Sequence, residues 1–393
     1  MKKVWPALLV GILFFWTLGD MSMNSIWMSR WAALLVMLSL YLAYFVSRRI
    51  DPHLAAITFS TCFSGLVSAF WFSRYSGEPF ELQAVLRQDS SRALIVFLTF
   101  LFCFFTFSRD NFVKLGRALG FCGFLTAIII LGSLPWWDAS RQTMLFDNPS
   151  MAASFIVVCL FLLDAEVKHY WRKVRLGRAI FWGTGLIAIL LTKTSTPLVA
   201  LAVGGGAYLW AKPDWTRSAP HLVASLRWPL TMAAMVAPLF LGAVILSPQG
   251  LIDDNSRFGM WKWLFDFWWE GGVFVRWFGY GLGTVRTMLP IIQINTDPNG
   301  AWYLFAHNDW LQILFEQGQF GLASAFVGAY GLGRAALKKN PHLFAALAAY
   351  GSVMLFNFPL HWPVHSFLLF VLVGLTYKTS FELDDARGYC GYQ

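Results

Sequence analysis

The sequence predicts an all-α polytopic membrane protein with about twelve transmembrane helices and one large extracytoplasmic loop that contains short interfacial helices. Three observations predict it. The composition is that of a lipid-solvated chain, apolar runs recur at close to bilayer length, and Lys and Arg divide unevenly between alternate connections.

Of 393 residues, 57% are hydrophobic and 18% aromatic, while 13% are charged. Soluble domains carry about 25% charged residues, so lipid is the solvent for most of this chain. A mean hydropathy of +0.56 agrees. The cysteines at 62, 103, 122, 159 and 390 lie in apolar runs or near the C-terminus, with no CxxC pair and no His-Cys cluster. That pattern indicates neither a disulfide framework nor a cysteine-based zinc site. Met1-Lys2-Lys3 precedes an apolar run to Leu18, and no small-x-small cleavage site follows Phe15-Trp16. The run is therefore expected to be a retained first span.

Apolar runs occur at roughly 4 to 19, 31 to 47, 54 to 72, 93 to 107, 118 to 134, 151 to 164, 179 to 191, 197 to 210, 229 to 246, 320 to 336, 343 to 360 and 366 to 377. With the N-terminus inside, 20 of the 30 Lys and Arg fall on the inner side and 10 on the outer. The positive-inside rule accepts that topology, with both termini cytoplasmic. The net charge of +9 is then a topogenic signal, and nucleic acid is not an implied partner. No internal repeat or low-complexity segment interrupts residues 1–393, which are expected to form a single integral membrane domain. The connection at about 247–319 is far longer than usual, and it is the expected seat of function.

That loop opens with Asp253-Asp254-Asn255-Ser256-Arg257, a cluster of helix N-cap candidates. In the stretch that follows, Lys262, Asp266 and Glu270 recur every four residues as one polar stripe, with aromatics over most of the remaining circumference. This predicts a helix in the membrane interface, and an anchor is explanation enough for its aromatics. Arg257, at its first turn, adds a planar donor fork to free backbone amides, a combination suited to phosphate. The Gly279-x-Gly281-x-Gly283 run has no βαβ context and reads as a flexible turn. Arg286 after it is either a second cation for the same anion or a solvated loop arginine.

The stretch His307-Asn308-Asp309-Trp310-Leu311-Gln312 leads to Glu316-Gln317-Gly318. Asp309 with Gln312 reads as a capping box, so a short helix is expected from there to a break near Gly318. His307 then stands just outside the positive helix end, which disfavours imidazolium and leaves a neutral ring able to accept a proton near pH 7. Glu316 is the competing base.

The block from His307 to Leu322, with His-Asn, an aromatic, Leu-Gln, then Glu-x-Gly-x-x-Gly-Leu, resembles the signature of the O-antigen ligase and O-antigen polymerase superfamily. Arg257 with Trp261, the glycine turn, Asn148-Pro149-Ser150 and Asn357-Phe358-Pro359-Leu360-His361-Trp362-Pro363 stand where the resemblance leads one to look for them. The motifs cover roughly residues 145 to 375. After the seventh span the family usually has Ser-Arg, whereas this chain reads Thr192-Lys193-Thr194-Ser195, which keeps the charge and loses the bidentate fork.

The resemblance implies a fold of the membrane glycosyltransferase C type and inverting transfer of a glycan from an undecaprenyl diphosphate carrier. No nucleotide sugar, metal or other cofactor is implied. His307 or Glu316 would be catalytic, and Arg257, Arg286, Lys193 and Asn308 would bind substrate. The chain would lie in a bacterial inner membrane among membrane lipids, with the loop periplasmic. The acceptor stays open between a growing glycan (polymerase), lipid A core (ligase) and a protein hydroxyl. A polysaccharide or lipid transporter or flippase is the rival of a different class. The asymmetric loop and the shortage of charges within the spans argue against it.

Overall fold

The computed structural model describes residues 109–132, 148–171, 175–211, 257–281, 284–296, 303 and 305–389, and all regular structure among them is helical. The expected spans before residue 108 and at 229 to 246 lie outside the described residues, as do Asp253, Asp254 and Gly283. The described helices are α1 (Arg109–Gly132), α2 (Pro149–Trp171), α3 (Arg175–Leu191), α4 (Ser195–Ala211), α5 (Arg257–Glu270), α6 (Gly272–Phe278), α7 (Thr284–Thr296), α8 (Asp309–Lys339), α9 (Pro341–Phe356) and α10 (Pro363–Tyr389). A 3-10 turn, Pro359–His361, joins the last two. Each of the seven expected spans in the described regions contains a helix, but the one expected at 343 to 360 ends its α-helix at Phe356. Among the described residues, two stretches, Asp110–Gly132 and Asp309–Lys339, are long and apolar enough to cross a membrane, and five others form shorter apolar helices.

Two of these helices start on the same local signal. In Asn148-Pro149 and Asn340-Pro341, the Asn side chain accepts a backbone N–H of the first turn, Ser150 N at 2.9 Å and His342 N at 3.0 Å. Proline at the first helical position gives up an N–H that had no intrahelical acceptor.

The described residues divide into two compact units. Residues 108–256 and 332–393 contribute to one, and Arg257–Gly331 to the other. In the first unit α2 is the central helix, packed on α1, α3, α4 and α9, and it is buried from Met151 to Asp164. An all-round apolar sequence is what such a position requires. Two hydroxyls inside these helices fold back on their own backbone, Thr126 Oγ1 to Cys122 O at 2.8 Å and Thr376 Oγ1 to Leu372 O at 2.8 Å.

Two polar knots tie the unit together. Asn357 Nδ2 donates to Ser150 Oγ at 2.8 Å, and His365 Nε2 lies 3.1 Å from Met151 O, so the segment after α9 and the first turn of α10 meet the first turn of α2. The second knot gathers on the buried carboxylate of Asp164, where Oδ2 accepts from Arg178 Nη2 at 2.6 Å and lies 3.0 Å from His342 Nδ1. The Tyr208 ring covers the His342 ring with centroids 4.5 Å apart.

The second unit has its own core, built from Met260, Leu264 and Trp268 of α5, Val285, Leu289 and Ile292 of α7, and Phe315 of α8. The aromatic run of α5 therefore does not simply face lipid. One side of it closes this core and carries the loop.

Candidate functional site

The site is built from the contact between α5, α7 and the segment that enters α8. Trp261 of α5 donates its indole N–H to Ala306 O at 2.6 Å, and Gln293 Oε1 of α7 accepts the Tyr303 N–H at 3.1 Å. Two helices thus grip the same short segment at both ends. His307 follows Ala306 directly and takes a left-handed backbone, φ 51. A non-glycine residue there costs about 1 kcal/mol or more.

His307 is half-buried. The Tyr303 ring meets its imidazole edge-on with centroids 5.9 Å apart. Burial first, and then the neighbouring Arg257 charge, push its pKa from 6.5 down to about 4. The expectation of a neutral ring holds, but for a different reason than the helix end, and the expected pKa near neutrality is not what these surroundings produce. Burial also lowers the Arg257 guanidinium, with Tyr303 acting in the opposite sense. Arginine remains a cation at any working pH. Arg286, exposed on the first turn of α7, holds its guanidinium carbon 5.9 Å from the Phe305 ring centroid. Arg257, Arg286 and His307 therefore converge on residues 303–307.

Asn308 caps α8: its Oδ1 accepts Leu311 N at 3.0 Å and its carbonyl accepts Gln312 N at 2.9 Å. This corrects the expected capping box by one residue. Asp309 is buried in the first turn, and Gln312 donates to Glu316 Oε1 at 3.0 Å instead of reaching back to a cap. The same Glu316 oxygen accepts Val285 N at 3.3 Å, in the first turn of α7. Only 2% of Glu316 is exposed. Its carboxylate is placed to compensate a helix N-terminus.

The glycine turn is not the flexible connection expected. Tyr280 N donates to Phe315 O at 3.0 Å and Gly281 N to Glu316 O at 2.8 Å, while Gly279 (φ 75) and Gly318 (φ 66) take backbones that favour glycine. A Cβ at Gly279 would run into the Glu316 backbone, and one at Gly318 into that of Trp277. The expected break at Gly318 is a kink, and α8 continues beyond it. The two glycine motifs are the two halves of one joint.

No family model matches the chain, and no curated protein matches it either.

Lys193 belongs to the other unit. It is exposed in the turn between α3 and α4, with φ 50, and Thr192 Oγ1 beside it donates to Ile189 O at 2.7 Å. Sequence reasoning passed over Tyr303, whose neighbour Arg257 is distant in sequence. It also passed over the Asp164, Arg178 and His342 cluster. The readable signal there was an acid closing an apolar run, since an ionisable group at the edge of a span needs a partner.

Proposed function

We propose that the chain is a membrane glycosyltransferase that moves a glycan from a polyprenyl diphosphate, in bacteria undecaprenyl diphosphate, to an acceptor hydroxyl at the outer face of the inner membrane. Twelve spans with both termini cytoplasmic hold the loop in the periplasm. The product is a surface polysaccharide, by ligation to lipid A core or by polymerisation. Supporting this is the resemblance of the His307–Leu322 block to the O-antigen ligase and polymerase signature. The observation that carries the proposal is the convergence of Arg257 and His307, fifty residues apart in sequence, on one short segment beside Arg286.

The acceptor oxygen attacks the anomeric carbon as the bond to the diphosphate oxygen breaks, which inverts that centre. His307 takes the hydroxyl proton, and the diphosphate leaves against Arg257 and Arg286. Asn308 serves by fixing the helix start behind His307. A base with a pKa of about 4 is weak while the site is empty. A bound diphosphate offsets the Arg257 charge and makes the imidazole more basic when a base is needed. The test is transfer by the purified chain in liposomes with a lipid-linked donor. His307→Ala should keep donor binding and lose transfer by about 10² to 10⁴-fold, whereas Arg257→Ala should lose donor binding. Full turnover in His307→Ala at normal protein level rejects the assignment.

A further inference from the structure

We infer that α6, together with Phe265 and Trp269 of α5, is immersed in the acyl chains of the outer leaflet. This rests on reading α8 as a span, not on the transfer reaction. Helix α6 has only seven residues, yet Val273 is 71% and Trp277 53% exposed, and Phe274 lies open between them, while Val275 faces the core. Phe265 and Trp269 extend the open apolar surface onto α5. Apolar patches of this kind on a water-facing loop mark a contact surface.

What covers it follows from where α6 is fixed. Its C-terminal end touches α8 at the kink, with the Trp277 backbone against Gly318 and the Phe278 and Phe320 rings 6.3 Å apart. From Gly318 to Lys338, α8 rises about 30 Å at 1.5 Å per residue, which is about the thickness of the hydrocarbon core. With Lys338 and Lys339 at the inner boundary, Gly318 stands at the outer one, and α6 is held at that level. Below the kink α8 itself exposes Phe326, Val327 and Tyr330, the apolar surface a span turns to lipid.

The polar groups are arranged accordingly. Arg276 donates Nε–H to Trp269 O at 2.8 Å and lies 4.4 Å over the Trp269 ring. Its charge can stay with the headgroups while its stem follows the apolar surface. Lys262 and Asp266 pair at 2.7 Å on α5. Immersion of α6 would hold the Arg257 and His307 segment at headgroup height, where a lipid diphosphate lies.

The unaltered full-length chain can test this in nanodiscs made with phospholipid that carries a diazirine on the acyl chain. Adducts located by mass spectrometry are expected on Val273, Phe274 and Trp277 and on Tyr330 of α8, with none on Lys262 or Glu270. Adducts on Tyr330 with none on peptides covering 272–278 would overturn the inference and leave the span intact. Adducts on neither would remove the span reading itself. Crosslinks from 272–278 to another protein, or labelling by a polyprenyl diphosphate probe alone, would also overturn it. Phe274→Asp should abolish adducts at 272–278 while Tyr330 labelling persists, and unchanged labelling of that segment would count against immersion.

Discussion

His307 sits in a strained backbone and a half-buried place, beside a cation that depresses its basicity. A loop residue with no task has no need of any of these. If the neutral ring is the working base, transfer falls as pH drops through its pKa, because protonation removes the acceptor. For the free protein that limb would lie near 4, and kcat/KM should be flat above about pH 5. In the donor complex the diphosphate offsets Arg257, so the limb in kcat should stand at higher pH than the limb in kcat/KM. Initial rates across the acid range check this, and superimposable limbs would mean that no anion comes to rest beside Arg257. Glu316 gives the contrasting case. Its carboxylate accepts from Val285 N and Gln312 Nε2 in the interior, so Glu316→Gln, which keeps an acceptor, should retain most transfer. Glu316→Ala should lower the thermal midpoint, because a buried N–H left without its acceptor costs about 1–3 kcal/mol. A loss in Glu316→Gln as deep as in His307→Ala would move the base to Glu316. The sequence made the types of these residues legible, since a histidine outside a helix start and an arginine in a first turn are local signals. Their pKa values were not legible, because they depend on burial and on a neighbour fifty positions away.

At the scale of elements, the site depends on a joint rather than on a loop. Gly279 and Gly318 each face the other strand of the joint's backbone, so either Cβ would force the turn and the kink apart. Gly318→Ala should cost about 2 kcal/mol or more, from the left-handed backbone and the collision together. It should abolish transfer while the chain stays in the membrane. Gly333→Ala on the same helix is the control. Its nearest neighbouring atom would be 3.7 Å away, so it should be tolerated or slightly stabilising. Thermal midpoints and activity of the two variants compare directly, and a tolerated Gly318→Ala would mean the joint is dispensable. The helices themselves were legible from apolar runs, proline and asparagine. The joint was not, because the pattern G-x-G and the pattern E-x-G each describe a local bend, and nothing in either spacing says that they meet. The cap of α8 was misplaced for a related reason: Asn308 and Asp309 are both good N-caps, and the choice went to the residue that left Gln312 for Glu316.

At the scale of the whole molecule the proposal turns on orientation, for which side-chain packing gives no argument and charge gives one. With the N-terminus inside, the outer connections receive 10 of the 30 Lys and Arg, and four of those 10 lie in the long loop: Arg257, Lys262, Arg276 and Arg286. Of these, Arg257 neighbours His307, Arg286 lies 5.9 Å from the Phe305 ring and Arg276 is bound to Trp269, so the loop's own packing engages cations that topology alone would disfavour. On the proposed topology Lys338 and Lys339 end α8 on the inner side, where Lys339 Nζ also bonds Thr376 O, and that placement agrees with positive-inside orientation. In a chain whose five cysteines are replaced by serine, Asn299→Cys should react with an impermeant maleimide in intact spheroplasts, and Lys338→Cys only after permeabilisation. The reverse pattern would invert the protein and put the proposed site on the cytoplasmic face, where a diphosphate-linked donor would have to be used before export. Reaction of both from outside would mean that α8 does not cross, and the 30 Å between Gly318 and Lys338 would then need another explanation.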